Sequence, residues 1–325
     1  MARSALLRIA CAAASTGMLL VSAPTYAAAP AFTALYAFGD SLSDNGRLSA
    51  ITGGLYPPAP YVGGRFSNGP VAVEYLAAGL LGAGSADFHD MAIGGARTGF
   101  TGSADASLGG YTTGMRSQLA EYVTSLGAGG ADSGALYYVM GGANDMRDAF
   151  SADDVAGGMS TAIGNLTTIV ATLHSRGATN FFLPNLPDLG LTPEARGVPD
   201  PLPGVSFSSL ASGASVVFNQ QLSAAYGALA AQWNDEHFYF YDVMAVQRAI
   251  TSGSPGNGFT NVTSPCVGTG ACATSLYFDT IHPTAAAHEM LGNGMLAAVP
   301  EPQTMLMMAA GVLALLGVVR RRPHA

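Results

Sequence analysis

The run Ala135-Leu136-Tyr137-Tyr138-Val139-Met140 constrains the fold more than any other stretch of this chain, because no position in it is charged. A strand sends successive side chains to opposite faces, so a run that is apolar throughout must be covered on both. Other short candidate strands occupy residues 34–38, 86–93, 180–184 and 238–242. Between them lie stretches with helical spacing at 71–81, 115–126, 151–175, 215–233 and 285–296. In residues 115–126 the apolar face is Leu119, Tyr122, Val123 and Leu126. Strand followed by helix, repeated, predicts one α/β domain with a mainly parallel central sheet wrapped by helices. No charged linker or break in composition divides it.

Both ends read as targeting signals. Residues 1–29 have arginines at 3 and 8, an apolar core at 9–21 and small residues after Thr25. That is the pattern of a secretory signal peptide, and Cys11 lies inside it. At the other end, Val299-Pro300-Glu301-Pro302 precedes an apolar run at 305–319 and then Arg320-Arg321-Arg322. Such a tail is expected to form a membrane anchor, with the arginines inside and the domain outside. The sequence has no lysine, and residues 30–298 keep eight arginines against 20 acidic residues, a net charge of −12. Phosphate contacts need clustered cations, so this balance argues against nucleic acid as a partner.

In open α/β sheets the chemistry collects at the carboxyl ends of the strands. Those ends here carry Asp40-Ser41-Leu42, then Gly94-Gly95, then Gly141-Gly142-Ala143-Asn144-Asp145; Asp279-Thr280-Ile281-His282 precedes the last helix. A serine needs a base before it becomes a strong nucleophile, and His282 is the expected base for Ser41. Asp279 can turn back onto the imidazole and fix its tautomer. The Ser41 and Gly95 amides and the Asn144 side chain are expected to form an oxyanion hole. No Gly-x-Ser-x-Gly elbow, dinucleotide fingerprint or His-Glu-x-x-His motif is present, so neither an ordinary α/β-hydrolase nor a nucleotide or zinc enzyme is read here. Cys266 and Cys272 close a short Gly-rich loop, and in an exported chain they read as a disulfide rather than a metal pair. No metal or organic cofactor is called for.

Phe38-Gly39-Asp40-Ser41-Leu42-Ser43-Asp44, the Gly95 block, Gly142-x-Asn144-Asp145 and Asp279-x-x-His282 resemble, in order, the four blocks of GDSL-type (SGNH) esterases and lipases. The segments Arg65-Phe66-Ser67-Asn68-Gly69-Pro70 and Pro184-Asn185-Leu186-Pro187-Asp188-Leu189 are similar to parts of the secreted branch of that family. The resemblance implies a single-domain α/β/α sandwich of the SGNH-hydrolase, flavodoxin-like type over residues 30–298. It also implies hydrolysis of a small-molecule or lipid ester at Ser41, with Gly95, Asn144, Asp279 and His282 in the roles given above. A phospholipase, a deacetylase of acetylated polysaccharide and a non-catalytic surface-binding protein are the alternatives. Asp90 stands where the family often has asparagine, at the start of the Gly95 block. The tail at 299–325 resembles a PEP-CTERM sorting signal, which implies transient anchoring in the membrane and cleavage by an exosortase-like transpeptidase.

The remaining polar residues are given structural readings. Asp40 and Asp44 are expected to shape the Ser41 loop, His89, His174 and His237 to be surface or structural, and His288 to sit on a helix face. Asp145, Asp148, Asp153 and Asp154 are read as caps or a solvated face, and Trp233 as core.

Overall fold

The computed structural model describes residues 32–253 and 256–299; the leader at 1–29 and the tail after Val299 lie outside the described residues. Five strands, β1 (Leu35–Gly39), β2 (Phe88–Asp90), β3 (Leu136–Met140), β4 (Asn180–Pro184) and β5 (His237–Tyr241), form one sheet in the order β2-β1-β3-β4-β5. Every pairing is parallel. Nine helices follow among the described residues: α1 (Arg47–Ile51), α2 (Ala72–Leu81), α3 (Met115–Ser125), α4 (Ala143–Ser151), α5 (Val155–Ser175), α6 (Pro193–Gly197), α7 (Phe207–Gln232), α8 (Val243–Thr251) and α9 (Ala285–Ala297). A small parallel pair, β6 (Asn261–Pro265) and β7 (Ser275–Tyr277), sits beside the main sheet and leads into the segment that carries Asp279 and His282.

The strand period of two divides the apolar side chains between two cores. Tyr137 and Val139 of β3 join Phe38, Phe181 and the inner faces of α3, α5 and α7. Their neighbours Leu136, Tyr138 and Met140 join Leu35, Ala37, Phe182 and residues of α2 and α9. This gives the three-layer sandwich that the doubly apolar runs require. The order of connections reverses at β1, so the crevice beyond the β1 and β3 ends is the switch point where such sheets place their sites. Gly39 and Met140 are register partners there, which brings the residues after β1 beside those after β3.

Several boundaries differ from the sequence expectation. The strand expected at 86–93 narrows to Phe88–Asp90, although the Met91 and Ile93 amides still reach the Ala37 and Gly39 carbonyls. α7 begins eight residues before the expected start at Ser215, because Ser206 caps it by accepting from the Ser209 amide. α8 was not expected at all; Asp242 reads as a strand end but caps this helix through the Ala245 amide. Trp233 is only partly buried, stacked on His174 at 3.8 Å at the margin of the core. His288 is buried in α9, not displayed on its surface, and its Nδ1 accepts from the Ala72 amide at the start of α2.

Candidate active site

Ser41 leaves β1 after Gly39, whose backbone is clasped on both sides by one buried side chain. Gln118 Nε2 donates to the Gly39 carbonyl at 2.8 Å, and Gln118 Oε1 accepts from the Gly39 amide at 3.1 Å. The loop beyond is closed by Asp44, which accepts from the amides of Gly46, Arg47 and Leu48. Asp44 also accepts from Gly94, tying the Ser41 loop to the neighbouring Gly94-Gly95 turn. That turn needs glycine at 95, where φ is +78° and a Cβ would meet Ser103 Oγ at 2.0 Å. Asp90 supports it from β2, one oxygen accepting from Asn45 and the other from Ala92. Asparagine offers one acceptor oxygen in place of two, so the aspartate suits this position.

Ser41 Oγ lies 2.8 Å from His282 Nε2, and His282 Nδ1 lies 2.6 Å from Asp279 Oδ2. Ser41 and His282 are 8% and 7% exposed, enough for a substrate to touch and too little for bulk water to screen them. The His282 segment is held from three directions. Asp279 Oδ1 accepts the Ile281 and His282 amides. Ser67 donates to the Pro283 carbonyl at 2.9 Å, and Asn68 accepts from the Ala285 amide at 2.8 Å. The Glu194 amide donates to Thr280. Burial pushes the Asp279 carboxyl up, but its hydrogen bond to His282, the attraction of that ring and the two amides outweigh burial and hold it down to about 2. A serine so placed can pass its proton to Nε2 while the carboxylate stabilises the imidazolium that forms.

Asn144 stands in the first turn of α4, just after Gly142, whose φ of +109° turns the chain from β3 into the helix. Its Oδ1 accepts from Arg147 Nη1 at 3.4 Å, and its Nδ2 donates to the Ala96 carbonyl at 3.0 Å. A side-chain amide has two N–H donors, so one is left without an acceptor among the described residues. The Ser41 and Gly95 amides have no acceptor among the described residues. Asp145, beside Asn144, is not on a solvated face; it accepts from the Thr98 amide and hydroxyl and pins α4 to the segment after Gly95. Asp154 caps α5 as expected of it, and Asp148 pairs with Arg97.

Ser41, Asn144 and His282 sit where two cavities meet. One, of about 490 Å³, runs inward beneath α9 and is lined by apolar side chains such as Leu42, Met140, Val243, Leu276, Leu291 and Met295. The other, of about 340 Å³, opens toward Tyr56, Tyr61, Phe66, Ser103 and Thr280, with Gly95 on its wall. Asp40 lines the larger cavity with Oδ2 unpartnered, and burial pushes its carboxyl up to about 6. Cys266 and Cys272 are bonded to each other and close the loop between β6 and β7. Among the described residues no group of three or more metal-ligating side chains converges.

Comparison with known proteins gives the family. The family model for GDSL-like lipase/acylhydrolase matches residues 35–295. The chain belongs to that family. A second model, the PEP-CTERM protein-sorting motif, matches residues 298–322. Among curated relatives, the esterase EstA of Pseudomonas aeruginosa is 30% identical over 317 residues, covering 84% of this chain and 48% of EstA. An uncharacterised protein of the trpE–trpG intergenic region of Pseudomonas putida is 28% identical over 311 residues, covering 85% of this chain and 50% of that one. The chain thus spans about half the length of these relatives. Among solved structures, a member of the lipolytic G-D-S-L family from Veillonella parvula superposes with a TM-score of 0.43 at 12% identity, covering 81% of this chain and 96% of that one. Sequence reasoning about the GDSL site missed Gln118 and Tyr61, both of which bond directly to its framework. Neither lies in a recognisable motif; only a polar residue on the apolar face of α3 hinted at the first.

Proposed function

We propose that this chain is an exported serine esterase whose substrate is a carboxylic ester with an extended apolar acyl group. The observation that carries the reading is the continuous hydrogen-bonded line from Ser41 through His282 to Asp279. Ser41 Oγ attacks the ester carbonyl as its proton passes to His282 Nε2. The carbonyl oxygen gains the negative charge and is received by the Ser41 and Gly95 amides and the second Asn144 N–H. Collapse of this intermediate breaks the C–O bond, and His282 returns the proton to the leaving alcohol. Water then repeats the sequence on the acyl-serine, giving the acid and free enzyme.

The apolar cavity favours the acyl group and the more open cleft the alcohol. A chamber of about 490 Å³ is far larger than an acetyl group needs, and burying methylenes there contributes roughly 0.8 kcal/mol each. The leader at 1–29 and the sorting tail support export, a transient membrane anchor and an exosortase-like processing partner, leaving a domain of residues 30–298 at the cell surface or beyond it. No described helix is long and apolar enough to cross a membrane.

The test is hydrolysis of p-nitrophenyl esters from acetate to octanoate. Ser41→Ala and His282→Ala should each lower kcat by roughly 10³-fold or more with the fold retained. Covalent labelling of Ser41 by an organophosphonate ester should disappear in the first variant. Undiminished turnover in folded Ser41→Ala protein refutes the mechanism, and a preference for acetate refutes the assignment of the acyl chamber.

A further inference from the structure

The loop between α1 and α2 brings a phenol to the aspartate of the site. Tyr61 Oη donates to Asp279 Oδ2 at 2.7 Å, the same oxygen that receives His282 Nδ1. Asp279 therefore has four donors, two on each oxygen. Three of them come from the aspartate's own loop, and Tyr61 alone arrives from across the fold, 218 residues away. The Tyr61 ring is fixed by an edge contact with Phe278 at 5.3 Å and a tilted one with Phe66 at 5.9 Å. Phe66 in turn lies 5.2 Å from the His282 ring.

A carboxylate oxygen accepts hydrogen bonds near the plane of its group, along two lone-pair directions. With Tyr61 on one direction of Oδ2, the imidazole N–H is left the other. The phenol also draws charge from an oxygen that could otherwise compete for the imidazole proton. Burial, then the hydrogen bond to Asp279 and its charge, push Tyr61 above its ordinary range, so it is a protonated donor at any working pH.

We propose that Tyr61 is a positioning residue of this site, holding Asp279 Oδ2 so that the carboxylate orients His282 without taking its proton. The inference rests on the esterase reading above. Other groups facing the pair are Asp40 and His288 near His282, Arg147 near Asp279, and Tyr56 near Tyr61. All of these are unchanged in a Tyr61→Phe protein, which also keeps the ring contacts.

The experiment compares the full wild-type chain with Tyr61→Phe, matched by thermal melting, using the pH dependence of p-nitrophenyl butyrate hydrolysis. Proton NMR of the His282 Nδ1–H supplies a readout that does not depend on turnover. Loss of the phenol leaves more charge on Oδ2 and stabilises the imidazolium. The acidic limb of kcat/KM should therefore move to higher pH by a few tenths of a unit, and kcat should fall roughly three- to thirtyfold. KM should stay within about twofold, and the Nδ1–H resonance should shift. Should Ser41→Ala protein retain full hydrolysis, the esterase reading fails by itself and this role fails with it. Where hydrolysis requires Ser41, a Tyr61→Phe protein matching wild type in limb, kcat and resonance overturns the role of Tyr61 alone.

Discussion

Asp44 Oδ2 accepts the Gly94 amide at 2.7 Å, so the loop that carries Ser41 and the turn that presents Gly95 are fixed to each other by one side chain. The separation between Ser41 and Gly95, the proposed nucleophile and oxyanion donor, is thereby set by a residue proposed for neither role. Asp44 makes this link while also organising the start of α1 through three more amides.

Asp44→Asn should separate these tasks. The amide keeps one oxygen and turns an NH₂ group toward donors that had an acceptor. Leaving buried amides unpaired costs about 1–3 kcal/mol each. Urea denaturation should show a loss within that range, and kcat/KM should fall by roughly tenfold or more because Gly95 is displaced. Unchanged kcat/KM would mean that the link is only structural.

Asp40 should impose a pH dependence on stability. In the unfolded chain an aspartate ionises near 3.9, whereas burial makes the native carboxyl hold its proton to about 6. Between those values the native state binds more protons, so raising the pH favours unfolding. The full penalty, on the order of 3 kcal/mol, is present above pH 6 and absent below pH 4. Asp40→Asn retains an oxygen for the Leu42 amide that Oδ1 now accepts. Its advantage over wild type in denaturation midpoint should grow from pH 4 to pH 6 and then level off. A constant difference across that range contradicts the argument.

Gln118 should matter out of proportion to its distance from the chemistry. Gln118→Met keeps the length and apolar contacts but removes the acceptor of the Gly39 amide and one of the two donors to its carbonyl, which the Ile93 amide still reaches. One buried amide left unpaired should lower stability by about 1–3 kcal/mol. The loss should appear in urea titrations as a shifted midpoint with an unchanged slope.

The disulfide should stabilise the chain modestly. Its closed loop spans a sequence separation of six, for which loop entropy gives about 2 kcal/mol. Replacing both cysteines by serine should lower stability by that amount. Activity should suffer further, because Pro265 and Val267 line the cleft beside Asp279. A double variant as stable as wild type would show that the loop is held by its other contacts.

Much of this was legible because burial on both faces leaves an unambiguous mark. Residues 135–140 could only be an inner strand, and β3 is buried along its whole length. Ser41, Asn144 and His282 were legible because strand ends and the last loop converge in any sheet of this kind. Gln118 and Tyr61 were not, since their partners lie 79 and 218 residues away and nothing local announces a long-range hydrogen bond. His288 was misplaced for the same reason. Its position in α9 reads as a face residue, but the Ala72 amide draws it inward; burial and then the His282 charge hold its imidazole down to about 3. α8 had a readable cap in Asp242, masked by the aromatic run before it.

Ser41 and His282 are 241 residues apart in sequence yet share one hydrogen bond. A polypeptide emerging N-terminus first therefore exposes Ser41 long before His282, its proposed base, has been made. On the mechanism proposed above, a nascent form ending before His282 is expected to be hydrolytically silent, and competence to arise once α9 docks against α2. Turnover thus doubles as a completion signal: a ribosome-arrested chain ending before residue 282 should be inert toward esters, whatever part of the sheet it has already assembled.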